Sequence, residues 1–259
     1  MKNELEYIKL THDIIKIAKD AGFAILKVYK NPNIEVNLKD DDSPLTIADK
    51  ASNEIITNAL QKLTPEVPIL SEEGKKIDYA ERKKWKLFWL IDPLDGTKEF
   101  INKNGEFRVN IALICNGEPI LGIVYAPVLD ILWHGNIKEG SFKTDSDNSS
   151  IKLNVKKPNG TIKVVASRSH SNNPKLDNFL IKYPDYKLVK MGSSIKICLV
   201  ADGSADIYPR LGPTMEWDTA AAHAVVKFAG GNIYNLDNME ELTYNKSNLL
   251  NPEFLVNHL

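Results

Sequence analysis

The sequence predicts a layered α/β protein, and three observations carry that prediction. Short apolar runs of strand length recur and end in turns rich in Asp, Gly and Pro. Two amphipathic helical patterns open the chain. Past residue 160, strand-like and helix-like segments alternate, the pattern of an α/β layer arrangement. At 259 residues the chain is long enough for one large domain or two compact halves, and 43% apolar with 26% charged residues is ordinary for a globular protein.

Residues 3–30 place Ile8, Ile15, Ala18, Gly22, Ile25 and Tyr29 at helical spacing, with Lys and Asp on the other face. The polar stretch Asn31–Asp42 reads as a loop with a short strand at Ile34–Leu38. Thr46–Leu63 reads as a second helix, and Thr46 with Asp49 resembles a capping box. A short strand is expected at Val67–Leu70, followed by a solvated turn and the charged segment Lys75–Lys86. Leu87–Ile91 reads as a buried strand that stops at Asp92, because Pro93 has no N–H for a sheet ladder. Strands at Arg108–Cys115, Ile120–Ala126 and Ile131–His134, separated by turn residues, suggest an antiparallel meander. Thr144–Ser150 is the most loop-like segment. It divides the chain into an N-terminal α+β half, 1–145, and a C-terminal α/β half, 146–259. In the second half, strands are expected near 162–166, 186–190, 205–208 and 231–234, with helices at 174–182, 194–202 and 217–229.

Several function classes are disfavoured. A formal net charge of −1 without a dense basic block argues against a nucleic-acid partner. Cys115 and Cys198 lie far apart inside apolar runs, which is neither a zinc pattern nor a disulfide framework, so a reducing cytoplasm is expected. The N-terminus lacks an apolar core of signal-peptide type, and no run approaches the roughly 20 apolar residues of a membrane span. Walker A, Gly-x-Gly-x-x-Gly and Gly-x-Ser-x-Gly patterns are absent.

The candidate chemistry rests on acids. Asp92 and Asp95 leave an apolar run three residues apart in Asp-Pro-Leu-Asp-Gly-Thr and repel each other unless a cation sits between them. Carboxylates are hard oxygen donors suited to Mg²⁺ or Mn²⁺. Glu72 follows another apolar run, and Asp218 opens a helical run of small residues. Each has a bland reading: Asp49 and Asp218 as helix caps, Glu72 in a solvated turn. Together they gain weight, because all sit at strand ends or helix starts, where a sheet fold gathers side chains. Gly96 and Thr97 add backbone N–H groups and a hydroxyl fit for an anion. Acids holding divalent cations beside such a cradle suit metal-assisted phosphoester hydrolysis.

Asp92-Pro93-Leu94-Asp95-Gly96-Thr97, the upstream Ser71-Glu72-Glu73-Gly74 and the downstream Glu216-Trp217-Asp218-Thr219-Ala220-Ala221 resemble, in order and over nearly the whole chain, the inositol monophosphatase superfamily. The resemblance implies an αβαβα sugar-phosphatase-type fold with a metal site between the two halves. It implies Mg²⁺, as two or three ions with Mn²⁺ as substitute, held by Glu72, Asp92, the Leu94 carbonyl, Asp95 and Asp218. Asp49 and Thr97, with Glu72, would serve catalysis by orienting and deprotonating the attacking water, and Gly96 and Thr97 would touch the substrate phosphate. Lys98-Glu99-Phe100 after the Asp-Gly-Thr, Gly192-Ser193-Ser194-Ile195-Lys196 and Ser167-Arg168-Ser169-His170 look like the CysQ-type branch of 3′(2′),5′-bisphosphate nucleotidases.

In that branch His170, Ser193, Lys196 and Arg210, with Asp218, would bind a nucleotide bisphosphate, since a second phosphate needs cations away from the metals. The implied protein is a lithium-sensitive cytoplasmic hydrolase of sulfur metabolism, monomer or homodimer, with at most peripheral inner-membrane association. The alternatives are an inositol monophosphatase or sugar-bisphosphate phosphatase with the same mechanism, and a catalytically silent phosphate-binding protein.

Overall fold

A computed structural model describes residues 4–30, 36–38, 44–155, 157–158, 160–166, 174–190 and 195–257. The chain opens with α1 (Glu4–Tyr29), the two short strands β1 (Val36–Leu38) and β2 (Pro44–Thr46), and α2 (Ile47–Leu63). Then come β3 (Ile69–Ser71), the short helix α3 (Tyr79–Arg82), β4 (Leu87–Asp95) and α4 (Thr97–Ile101). A meander follows through β5 (Arg108–Cys115), β6 (Glu118–Ala126), β7 (Ile131–Asn136), β8 (Gly140–Thr144) and β9 (Ser150–Leu153). The remainder comprises β10 (Ile162–Ala166), α5 (Pro174–Leu180), β11 (Tyr186–Lys190), α6 (Ile195–Ala201), β12 (Tyr208–Arg210), α7 (Glu216–Phe228), β13 (Asn232–Asn235) and β14 (Phe254–Asn257).

Strands β3 to β9 form one seven-stranded sheet in sequence order, antiparallel except for the β3–β4 pair. Its strands β4 to β6 are buried on both faces, which is why they read as near-continuous apolar runs. Side chains alternate between two cores. Trp89, Ile91, Val109, Ile111 and Leu113 join Ile14, Ala18, Ile25 and Ile56 of α1 and α2. Phe88, Leu90, Ala112 and Ile114 join Ile197, Val200 and the alanine face of α7. The far side of α6 and α7 carries the parallel pair β10–β11 and the sheet β12–β14–β13, and α5 closes the stack against Val164, Ile207 and Leu255. The result is five layers, α/β/α/β/α, as the resemblance implied. No helix among the described residues is long and apolar enough to cross a membrane.

Four expectations are corrected. β4 does not stop at Asp92: it runs to Asp95, with Asp92 opposite Asn110 and Asp95 opposite Arg108. The three-residue step on one strand against two on the other is a bulge, and the ladder tolerates Pro93 there. The segment 75–86, expected only as a charged stretch, contains the helix α3, whose Arg82 is buried. The meander is longer than the three expected strands, and the β8–β9 hairpin carries the first sheet beyond residue 146. β14 has no counterpart among the expected strands; it is the central strand of its sheet.

Helix α7 lies directly on β6 and β7, and Gly122 and Gly135 are paired across these strands beneath it. A Cβ on Gly122 would meet the Ala221 carbonyl oxygen at 2.2 Å and the Ala224 Cβ at 2.7 Å. The small-residue run in α7 and the two glycines are therefore one feature, a close helix-on-sheet approach. We expect Gly122→Ala to destabilise the protein by about 3 kcal/mol through overpacking. Denaturant unfolding checks this, and a loss below about 0.5 kcal/mol would contradict so close an approach.

Candidate active site

The β4 bulge is the centre of the site. Asp92 continues the Phe88–Leu90 face of the strand, which looks toward α7, and is 1% exposed. Its Oδ1 accepts the N–H of Leu94 at 3.1 Å, which fixes the turn. Gly96 then takes φ +92°, a left-handed conformation that suits glycine, and α4 begins at Thr97. The Thr97 hydroxyl donates to the Leu94 carbonyl at 3.4 Å. From the other layer, α2 is tied to the bulge by Ser52, whose hydroxyl donates to the Pro93 carbonyl at 2.7 Å, and Asp49 is buried one turn earlier. The backbone N–H of Glu72 donates to the Ile91 carbonyl at 3.2 Å, so β3 delivers this acid beside the end of β4. Asp218, in the first turn of α7, accepts the N–H of Met215 on Oδ2 at 2.8 Å.

These acids share an electrostatic neighbourhood. The Asp92 carboxyl is pushed well above the usual carboxylate range, first by burial and then by repulsion from Glu72, Asp95, Asp218 and Asp49. Asp218 is pushed up to about 8, first by burial and then by Asp95. Among the described residues no three acids, imidazoles or thiols stand close enough to form a ready-made ligand set. Mutual repulsion among these carboxylates is what a hard divalent ion such as Mg²⁺ would relieve, and their oxygens are the donor type it takes.

Cations lie immediately beside this cluster. Arg108, opposite Asp95 in the sheet and 0% exposed, places Nη2 3.2 Å from the Asp95 carboxylate. Lys196 on α6 is 2% exposed, with its ammonium 5.4 Å from the centre of the Tyr208 ring. Its pKa is lowered to about 7, mainly by burial and then by the charges of Arg108 and Arg210. Arg210, at the end of β12, donates from Nη2 to the Pro213 carbonyl at 2.9 Å and lies in electrostatic range of Asp218. A cationic pocket and an acidic pocket thus adjoin, with Arg108 and Asp95 at their border.

Asp49, Glu72, Asp92, Asp95 and Asp218 are thereby brought together, with Leu94, Gly96 and Thr97 in the same turn and Lys196 and Arg210 alongside. His170 and Ser193 lie outside the described residues. Sequence reasoning missed Arg108 and Asn110, neighbours on the site-facing side of β5. Asn110 is buried opposite Asp92, and its side-chain amide makes no hydrogen bond among the described residues. A signal was available: a charged residue and an amide two apart interrupt an otherwise apolar strand.

The chain belongs to the inositol monophosphatase family, whose model matches residues 7–257. This family is metal-dependent, typically with Mg²⁺. Among its relatives, a chain from Buchnera aphidicola named 3′(2′),5′-bisphosphate nucleotidase CysQ is 45% identical, the match covering 87% of this chain and 84% of that one. The CysQ of the same name from Escherichia coli K12 is 43% identical, over 94% and 97% of the two chains. The crystal structure of CysQ from Bacteroides thetaiotaomicron superposes with a TM-score of 0.85 at 41% identity, covering 96% and 97%.

The acid cluster carries a pH signature. In the folded, metal-free protein Asp218 holds its proton to about pH 8, whereas in an unfolded chain an aspartate ionises near pH 3.9. The stability this group contributes is fully present below pH 4 and is lost as pH rises toward 8, because the folded state there binds more protons than the unfolded one. In EDTA the melting temperature should therefore fall between pH 5 and 8.5, and saturating Mg²⁺ should flatten the decline. Parallel profiles with and without Mg²⁺ would contradict this assignment.

Proposed function

We propose that this chain is a magnesium-dependent phosphatase that hydrolyses the 3′-phosphate of adenosine 3′,5′-bisphosphate, yielding AMP and inorganic phosphate. The observation that carries this reading is the group of cations, buried Lys196 and Arg108 with half-buried Arg210, directly beside the acid cluster. An ordinary monophosphate needs only the metal side, whereas a substrate with two phosphates needs a second anion site. The names of the relatives, 3′(2′),5′-bisphosphate nucleotidases, describe such a substrate.

Glu72, Asp92, the Leu94 carbonyl, Asp95 and Asp218 are the groups that would hold Mg²⁺, as two or three ions, with Mn²⁺ able to replace it. Bound metal supplies Lewis-acid polarisation of the phosphoryl group and makes water a better nucleophile. Asp49 and Thr97 orient the attacking water, and Asp49 takes its proton. The Gly96 N–H and the Thr97 hydroxyl steady the phosphoryl group. Lys196 and Arg210, with His170 and Ser193, hold the nucleotide and its 5′-phosphate. In-line attack forms the bond from the water oxygen to phosphorus as the bond from phosphorus to the 3′-oxygen breaks. The 3′-oxygen leaves as the ribose hydroxyl with a proton from solvent, and Asp49 returns the water's proton to solvent. No covalent enzyme intermediate forms.

Phosphate release should be strong from adenosine 3′,5′-bisphosphate in Mg²⁺, abolished by EDTA, and weak from inositol 1-phosphate and fructose 1,6-bisphosphate. Preference for either sugar phosphate would discard the pocket assignment, and no release from any would favour a phosphate-binding role. Asp95→Asn should lower kcat by more than about 100-fold with an unchanged far-ultraviolet dichroism spectrum; near-normal turnover would sink the metal assignment. Lys196→Ala should raise KM for the nucleotide about 10- to 100-fold while sparing hydrolysis of a simple monophosphate. Equal losses on both substrates would refute its role.

A further inference from the structure

Glu72 and Asp218 reach the site from opposite ends of the chain, on a loop after β3 and on the first turn of α7. β3 and α7 each pack against β4, which places them coarsely, and a second link ties their segments to each other directly. Arg82 and Glu216 provide that link. Arg82, at the end of α3 and 3% exposed, donates from Nε to the Ile77 carbonyl at 3.1 Å, within its own segment. Its other nitrogens reach across to the 245–247 loop. Nη1 donates to the Asn245 side-chain carbonyl at 2.8 Å and to the Lys246 carbonyl at 3.2 Å, and the Asn245 amide returns a bond to the Arg82 carbonyl at 2.7 Å.

The same loop is gripped from its other side by Glu216, the first residue of α7 and 0% exposed. Its carboxylate accepts the backbone N–H groups of Asn245 at 2.6 Å and Lys246 at 3.0 Å, and the Lys246 ammonium at 2.6 Å. Asn251 completes the clamp. Its amide donates to the Met215 carbonyl at 2.8 Å and to the Thr219 hydroxyl at 3.1 Å, on either side of Asp218. Buried charge-assisted bonds of this kind have well-defined geometry and are costly to break.

We infer that the buried Arg82–Asn245–Glu216 bridge is a positioning device for the metal site, fixing the N-terminus of α7, and with it Asp218, relative to the Glu72 segment. Arg82 and Glu216 touch no reacting group; they act through the two acids. The inference rests on the reading of Glu72 and Asp218 as ligands of the same metal centre. Groups that orient metal ligands from behind typically change metal affinity 10- to 100-fold when lost.

Asn245→Gly is the informative variant. Asn245 has φ +71°, which glycine adopts without strain, so only the side-chain link is deleted. Glu216→Gln keeps the shape while removing the charge that Lys246 pairs with. Calorimetric titration with Mg²⁺ alone should show a dissociation constant raised about 10-fold in each variant. At saturating Mg²⁺ the KM for the nucleotide should stay within about 2-fold of the parent. A purely structural role would lower the melting temperature equally in EDTA and in Mg²⁺. The bridge as argued should lower it more in Mg²⁺, because the stabilisation conferred by the ion shrinks. Unchanged Mg²⁺ affinity in both variants would overturn the inference. Because the titration reads metal binding rather than turnover, a parent chain that binds Mg²⁺ but does not hydrolyse the nucleotide would overturn the functional reading alone. A parent that binds no Mg²⁺ would overturn both.

Discussion

The structure depends on one unfavourable interaction: carboxylic acids from four separate segments are held in a buried space where each raises the cost of ionising the others. Asp92 sits at its middle with Glu72, Asp95, Asp218 and Asp49 around it. Nothing about such a gathering stabilises the fold, so the surrounding elements must enforce it. The β4 bulge turns Asp92 and Asp95 into the same space, Ser52 straps α2 to the bulge, and the glycines of β6 and β7 bring α7 close. This repulsion is what cations bound in the proposed metal site would relieve.

The helix α7 shows how that enforcement works. It packs against the face of the large sheet, α6 and β13, so most of its circumference is buried. A helix so placed must satisfy its polar groups internally. His223 does so with Nδ1 2.9 Å from the Tyr244 hydroxyl and Nε2 2.7 Å from the Asn232 side-chain oxygen. Burial lowers its pKa to about 4, so it stays neutral and adds no charge to the core. With its polar groups bonded along its length, the helix has little freedom to rotate, and the carboxylate at its start inherits that rigidity.

The juxtaposition of acidic and cationic pockets stems from the same layering. β5 presents Arg108 and Asn110 on the face that also carries Asp95 and Asp92 of β4, and α6 lays Lys196 over them from the next layer. Asp95 and Arg108 neutralise each other at the border. Asp218 and Lys196, on either side, depart from their ordinary pKa values in opposite directions, each in the sense that disfavours its charge.

Much of this was legible in the sequence, and the exceptions have physical causes. Apolar periodicity located α1, α2 and β5 to within a residue or two, because strands and helices buried in broad layers must be patterned. The bulge in β4 was hidden, since Pro93 alone reads as a strand stop, and only pairing with β5 shows that the ladder resumes. The strand β8 and the edge strand β9, exposed in large part and polar, carry no such pattern. Arg82 stands among lysines and glutamates that are solvated, and its burial depends on a loop more than 160 residues away.

By itself the sequence determined the local grammar of the site: which turns come after which strands, which acids stand at their ends, and which residues are small enough to let α7 approach. These are properties of neighbours along the chain, where steric and hydrogen-bonding rules act over a few residues. Tertiary structure alone decided that the acids meet, that Arg108 stands between two pockets of opposite charge, and that Arg82 and Glu216 grip one loop from two sides. Electrostatic repulsion, burial and cross-chain hydrogen bonds depend on distance in space, and that distance exists only once the layers have packed.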